Sequence, residues 1–383
     1  MTRRLQILAA LAIVILAGPL SACPFCSSQG KTLLGEVVQA HMILFGNMTN
    51  AKLNPGSFDS GSTEFVIEKV VKEHPILNGR KSLTIPRYIP LDDKSKFLLF
   101  CEVFNGKIDP YRGMAVALDS PIADYLIGAM AVKDKPDADK LRYFYKYLDS
   151  ADNDVANDAL TEFGNTDYPA FRAMAKDISP EKVIAWLKHP NTAPIRFGLY
   201  GSMLGHCGKP EHADILRRLL DDPKKRFTTG MDGVLAGYAM LDPKAGYAYL
   251  CDVLKDPKKE FLYRYAALRA IRFFWEFRPD VLSAQQLVDA VLPMLDQPDM
   301  ADFPMDDLRK WKRFELSGRI LPLYTQKSHQ SAIVKRAIVR YALSCPTTDR
   351  AAVTFLEQAR AHDAAYVREI EDLLWLEQAP VVK

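Results

Sequence analysis

Apolar and polar positions divide this chain into three stretches of different period. The first 22 residues open with Arg3 and Arg4, run uncharged from Leu5 to Ala17, and end in Gly18-Pro19-Leu20-Ser21-Ala22. A positive flank, an apolar run and small residues before a cut predict an export signal over 1–22. That run is shorter than the roughly 20 residues a membrane-crossing helix needs. From about Ala40 to Leu118 the period is two. His41–Gly46, Thr63–Val71, Lys81–Ile85, Lys96–Val103 and a stretch near Met114–Val116 are rich in β-branched and aromatic residues, and Asn, Pro, Gly, Asp and Ser separate them. This predicts a small β domain over 23–118, a barrel or sandwich of about five short strands.

After Asp119-Ser120-Pro121 the period becomes helical and stays so to Lys383. Ser120 before Pro121 is a helix start, with a capping hydroxyl and a proline in the first turn. Within 119–383 several segments align: Val155–Leu160, Ile195–Leu199, Met231–Ala236, Leu262–Leu268, Ile333–Ile338 and Val367–Ile370. Most stand roughly 31 to 40 residues apart, the period of a helix-pair repeat. His189-Pro190, Asp222-Pro223 and Asp256-Pro257 punctuate the units, proline stopping one helix and the preceding side chain capping the turn. The stretch between Phe277 and Leu321, with Pro293, Pro298 and Pro304, departs from the regular unit and holds an extra helix pair or a loop. The expected fold class is multidomain α+β, a β domain followed by an all-α repeat array.

Two resemblances follow from these segments. Cysteines at the start of the predicted mature chain, a strand through Phe45-Gly46, the Phe65–Val70 strand followed by Asn78-Gly79, and the Phe97–Phe100 strand together resemble the netrin and tissue-inhibitor-of-metalloproteinases type of OB barrel. The turn-then-helix pattern of 119–383 resembles HEAT-type repeats, which stack into a solenoid with a long curved surface. The first resemblance implies a disulfide from an N-terminal cysteine to a later strand, here Cys26 to Cys101. It also implies a protease-inhibitor function, in which the amine and carbonyl of the first cysteine chelate the protease zinc. This chain departs from that pattern, because two residues instead of one separate Cys23 from Cys26.

Charge changes the picture by exclusion. Arg3 and Arg4 leave with the signal and no acid does, so the full chain's net +3 falls by two. Lys and Arg are scattered among Asp and Glu, and a nucleic acid finds no basic footprint. Leu20-Ser21-Ala22-Cys23 resembles the bacterial lipobox, which makes Cys23 the site of lipidation and the first mature residue. Ordinary cleavage after Ala22 leads to the same first residue. The chain is then a membrane-anchored lipoprotein of the cell envelope or, without the acyl group, periplasmic or secreted.

Candidate chemistry is sparse. Cys23-Pro24-Phe25-Cys26 has redox spacing, but no strand precedes it. His206, Cys207 and His212 form the densest set of metal-capable side chains, and with Asp232 nearby they mark the alternative of a metal-binding or hydrolytic enzyme. Asp232 stands between Gly230 and Gly233, which implies a close backbone approach or a break, and Arg196 of the preceding unit is its expected ion-pair partner. Trp275, Arg278 and Trp311 lie in aromatic-basic runs of the kind that dominate protein interfaces. No Gly-x-Ser-x-Gly, His-Glu-x-x-His or phosphate-loop motif occurs in the sequence. The expectation is a non-catalytic protein that binds a protein partner through its repeats, with no cofactor beyond a possible metal ion, and the membrane through its lipid.

Overall fold

The computed structural model describes residues 25, 29–56, 60–223 and 229–378. These form two compact units divided between Ser179 and Pro180. In the first, a helix α1 (Leu33–Gln39) precedes five antiparallel strands, β1 (Met42–Leu53), β2 (Gly61–Lys72), β3 (Ser82–Ile85), β4 (Ser95–Phe104) and β5 (Lys107–Ala117), in the order β3-β2-β1-β4-β5. The central strand β1 opens on a wholly apolar run whose side chains from Met42 to Phe45 are all buried. A strand flanked on both sides reads as such a run rather than as strict alternation. Its partners are set by register: Leu44 lies opposite Val70 of β2 and Leu99 of β4. Gly46 sits at an irregularity in the β1–β2 pairing, where a Cβ would come within 1.9 Å of the Val66 carbonyl oxygen, so only glycine allows β1 to approach there.

One face of the sheet gathers Met42, Leu44, Phe65, Leu83, Ile85, Leu99 and Cys101 into a single core, with Ile108 packed against it. Both edge strands, β3 and β5, feed this one cluster. Asn105 and Gly106 both have positive φ, 50° and 70°, the conformation of a tight two-residue hairpin turn. They join β4 to β5.

The change of period expected after Leu118 is the change of structure. Helices α2 (Ile122–Val132), α3 (Asp137–Tyr145), α4 (Asn153–Asn165) and α5 (Tyr168–Ala175) follow β5. The Ser120 hydroxyl accepts the Ile122 N–H at 3.3 Å at the start of α2. These four helices belong to the first unit. Lys69 of β2 pairs with Asp124 of α2 at 2.7 Å, and the segment before α1 is hydrogen-bonded to α4. Tyr125, Phe144, Phe163 and Phe171 are fully buried among the helices.

The second unit is helical throughout its described residues: α6 (Pro180–Lys188), α7 (Phe197–Cys207), α8 (Ala213–Asp221), α9 (Met231–Leu241), α10 (Pro243–Leu254), α11 (Phe261–Phe277), α12 (Ala284–Val291), α13 (Asp302–Lys310), α14 (Ser317–Ile320), α15 (Ala332–Ser344) and α16 (Arg350–Gln378). The proline turns act as the sequence suggests. His189 Nδ1 accepts the Asn191 N–H at 3.2 Å, and Asp256 Oδ1 accepts that of Lys258 at 2.9 Å. The irregular stretch after Phe277 holds α12 and α13. Helix α9 is the hub, packed against α7 on one side and α11 on the other. It meets α7 backbone to backbone: a Cβ on Gly233 would lie 2.1 Å from the Gly198 carbonyl oxygen, and one on Gly237 2.1 Å from that of Gly201. At Asp363 the helical backbone of α16 breaks, and Arg360 pairs with Glu371 at 2.5 Å. Helix α16 is thus two helices joined across a kink at Asp363.

Candidate functional site

In the second unit, α9, α11, α13 and α15 bring together a row of charges and rings. Asp232, in the first turn of α9, is 3% exposed, and its carboxylate lies 3.0 Å from Nε of Arg269 on α11. This ion pair is made with a helix two places further along the chain, where the sequence suggested Arg196 of the preceding unit. Burial pushes the Asp232 carboxyl above its ordinary pKa, and Arg269 opposes that push. One turn along α11, Arg272 Nε donates to both oxygens of Asp307 on α13, at 2.8 and 2.9 Å. Asp307 is 4% exposed. Its burial raises the pKa to about 6 against the pull of Arg272. Beyond it, buried Arg309 donates to Asp306 and Glu377, and Arg340 of α15 pairs with the same two acids.

Aromatic rings stand between the charges. The Arg272 guanidinium lies 6.0 Å from the Tyr265 ring centre and 5.9 Å from that of Phe303. Those two rings are themselves 5.2 Å apart, with Phe261 beside them. Trp275 and Trp311 stack almost parallel, with ring centres 4.2 Å apart. The pair is half-buried, one ring from the end of α11 and the other from the residue after α13. Trp311 is held in place by the turn behind it. Lys312 takes the left-handed conformation, with φ of 56°, while the Arg313 N–H returns to the Leu308 carbonyl at 2.9 Å. Lysine in that conformation is strained where glycine would not be.

Each of the two buried acids has an arginine partner, and planar rings beside guanidinium groups match the composition of interface hot spots. Of the five residues that the sequence singled out for binding, the structure joins Trp275 to Trp311 directly and places Asp232 in the same row of helices. Arg278 is mostly buried, bonding Asp280 at 2.7 Å and the Met240 sulfur at 2.9 Å. Arg196 ends the short 3-10 turn before α7. Sequence reasoning missed Arg269, Asp307, Tyr265 and Phe303. Their signal was present in the helix-pair period, since Arg272 and Asp307 stand 35 residues apart.

The remaining candidates are dispersed. His206, in the last turn of α7, donates from Nδ1 to the Ser202 carbonyl at 2.7 Å. His212 instead accepts the Lys209 N–H at its Nδ1, which in the neutral ring leaves the proton on Nε2. Burial pushes the Cys207 thiol up to about 11, so the thiolate that a metal would need is disfavoured. Among the described residues no group of three or more His, Cys, Asp or Glu is arranged to hold a metal ion. Cys23 and Cys26 lie outside the described residues. Cys101, the expected partner of Cys26, is wholly buried in β4, and its thiol is pushed up to about 12 by that burial. Among the described residues no helix is long and apolar enough to cross a membrane.

Comparison with family models, with curated proteins and with solved structures gives no match for this chain.

Proposed function

We propose that this chain is an exported, lipid-anchored, non-catalytic protein of the bacterial cell envelope that binds a protein partner through its helical repeats. The observation that carries the binding reading is the Trp275–Trp311 stack beside the Arg272–Asp307 pair, a half-buried, preorganised surface built from separate helices. Rings held at a fixed spacing lose little entropy when a partner packs on them. Export and anchoring rest on the 1–22 signal pattern and on Cys23 after Leu20-Ser21-Ala22.

The finer architecture belongs to the same reading. We take the sheet as an OB-type barrel, because its order β3-β2-β1-β4-β5 is that of such a barrel opened between β3 and β5, and because both edges share one core. The helices are read as a HEAT-like solenoid, supported by α9 packing on its neighbours one unit before and one unit after.

The test is site-specific. A photo-crosslinking residue at Lys310, exposed beside the tryptophans, is expected to capture one envelope protein in living cells. Trp311→Ala should abolish that product while leaving the circular dichroism spectrum and the unfolding midpoint close to those of the parent. Capture that survives Trp311→Ala, or no specific product from any exposed position of α11 and α13, would overturn the reading.

A further inference from the structure

In the second unit, α14 and the 3-10 turn that follows it (Leu321–Thr325) face the first part of α16 across a cavity of about 610 Å3. Helical spacing decides what α16 presents there. Ala351, Phe355 and Ala359 recur every four residues as an apolar stripe, and Thr354, Gln358 and His362 run beside them as a polar one. Each stripe covers about 12 Å of helix. Phe355 stands edge-on to Tyr324 of the facing wall, with ring centres 5.2 Å apart. Tyr324, Phe355 and Ala359 also pack on a small core of Val339, Val367 and Ile370. The cavity is therefore the side on which that core is left open.

Charge narrows what can fill it. Asp, Glu, Lys and Arg make up 25% of the chain, yet none of them lines this cavity. The cavity of about 630 Å3 in the first unit, by contrast, is lined by Lys31, Glu36, Glu102 and Arg112. An ionised ligand entering the uncharged cavity would give up water with no Asp, Glu, Lys or Arg to replace it. A hydroxyl or carbonyl group would find partners, because the side chains of Thr354, Gln358 and His362 have none among the described residues. The main-chain groups of both walls are taken up in helical turns, so an extended peptide would leave its amides unpaired here. The volume falls within the range of roughly 300–1,000 Å3 that encloses a small organic molecule.

We propose that this cavity binds a neutral, elongated small molecule, mainly hydrocarbon, with its hydroxyl or carbonyl group against the Thr354–Gln358–His362 stripe. Tyr324 and Phe355 hold the hydrocarbon part, which completes the core beneath them. The site needs neither export nor a protein partner, so it stands independently of the binding reading above.

The test is isothermal titration of the full-length chain with 1-decanol, decanoate and decyltrimethylammonium, each below its micelle-forming concentration. These probes share one chain and differ in the charge of the head. Decanol is expected to saturate at one molecule per chain, and both ions to bind at least about tenfold more weakly. Gly318→Phe builds a ring from the cavity wall at a position with nothing within 4 Å, and it should abolish decanol binding without lowering the unfolding midpoint. Ala351→Phe, exposed on the facing wall, is a second block should the first variant fail to fold. A decanol titration that does not saturate, as expected were the groove instead the seat of a partner's helix, would overturn the proposal. So would ions that bind as tightly as the alcohol, or folded blocking variants that keep the parent affinity.

Discussion

Asp158 and Glu162, one turn apart on α4, show what a single buried acid does in this molecule. The segment 155–160 was visible as a repeat helix, but the role of Asp158 was not, because its partners are a backbone N–H 125 residues earlier and a tyrosine 33 residues earlier. Glu162 is held above the usual carboxylate range, at about 7, by burial and by the neighbouring charge of Asp158, against a hydrogen bond from Thr32. The unfolded chain loses this proton near 4.5 and the folded one near 7. The folded state therefore binds more protons in between, and stability contributed here is full below about pH 4.5 and is lost as pH rises to 7. Glu162→Gln should remove that decline and leave the first unit more stable than the parent by roughly 1–3 kcal/mol at about pH 8. Chemical unfolding measured across this range checks it, and parallel pH profiles for the two proteins would contradict it.

Between elements, the closest packing is the glycine contact of α7 with α9. The sequence indicated it through the two glycines flanking Asp232, since glycine inside a helix implies a backbone approach. Gly233→Ala would drive a methyl group into the Gly198 carbonyl, and we expect a loss of about 2–3 kcal/mol, the upper part of the overpacking range. Gly318→Ala, at a position with nothing within 4 Å, should be neutral or gain up to about 1 kcal/mol. Comparing the two unfolding midpoints decides whether contact or helix propensity governs these sites. The strands were legible because β-branched and aromatic residues cluster in them, yet β5 begins at Lys107 and not near Met114. Pro110 and Gly113 hid its first half, because both residues argue against a strand unless it lies at an edge or a bulge. Pro110 satisfies both conditions, facing Cys101 at a register shift on the outermost strand. Helix α1 was missed because its single buried face, Leu34 and Val37, is too short to display a period.

At the scale of the whole molecule, the order of a five-stranded antiparallel sheet followed by helices was readable from period alone, which reports whether side chains repeat every two positions or every three to four. The division of the chain into compact units was not. It falls at Ser179, because α2 and α4 are tied to the sheet by Lys69–Asp124 and by the peptide ahead of α1, and such ties leave no periodic trace. The candidate surface was half legible. Trp275 and Trp311 stood out by residue type, whereas Arg269 and Asp307 gain meaning only once their helices are adjacent.

The proline in β5 also governs how one copy of this protein meets another. A sheet that ends in an eleven-residue strand offers a template on which a second copy could add its own strand and begin to aggregate. At the other end β3 is only four residues long, too short to nucleate such growth. Pro110 lacks the N–H that the next strand would need, and it sits in the middle of the longer edge. Pro110→Val should convert that edge into a continuous donor row and raise the fraction of high-mass species in light scattering as concentration increases. A variant that stays as dispersed as the parent would show that the hairpin's twist alone keeps the edge closed to neighbours.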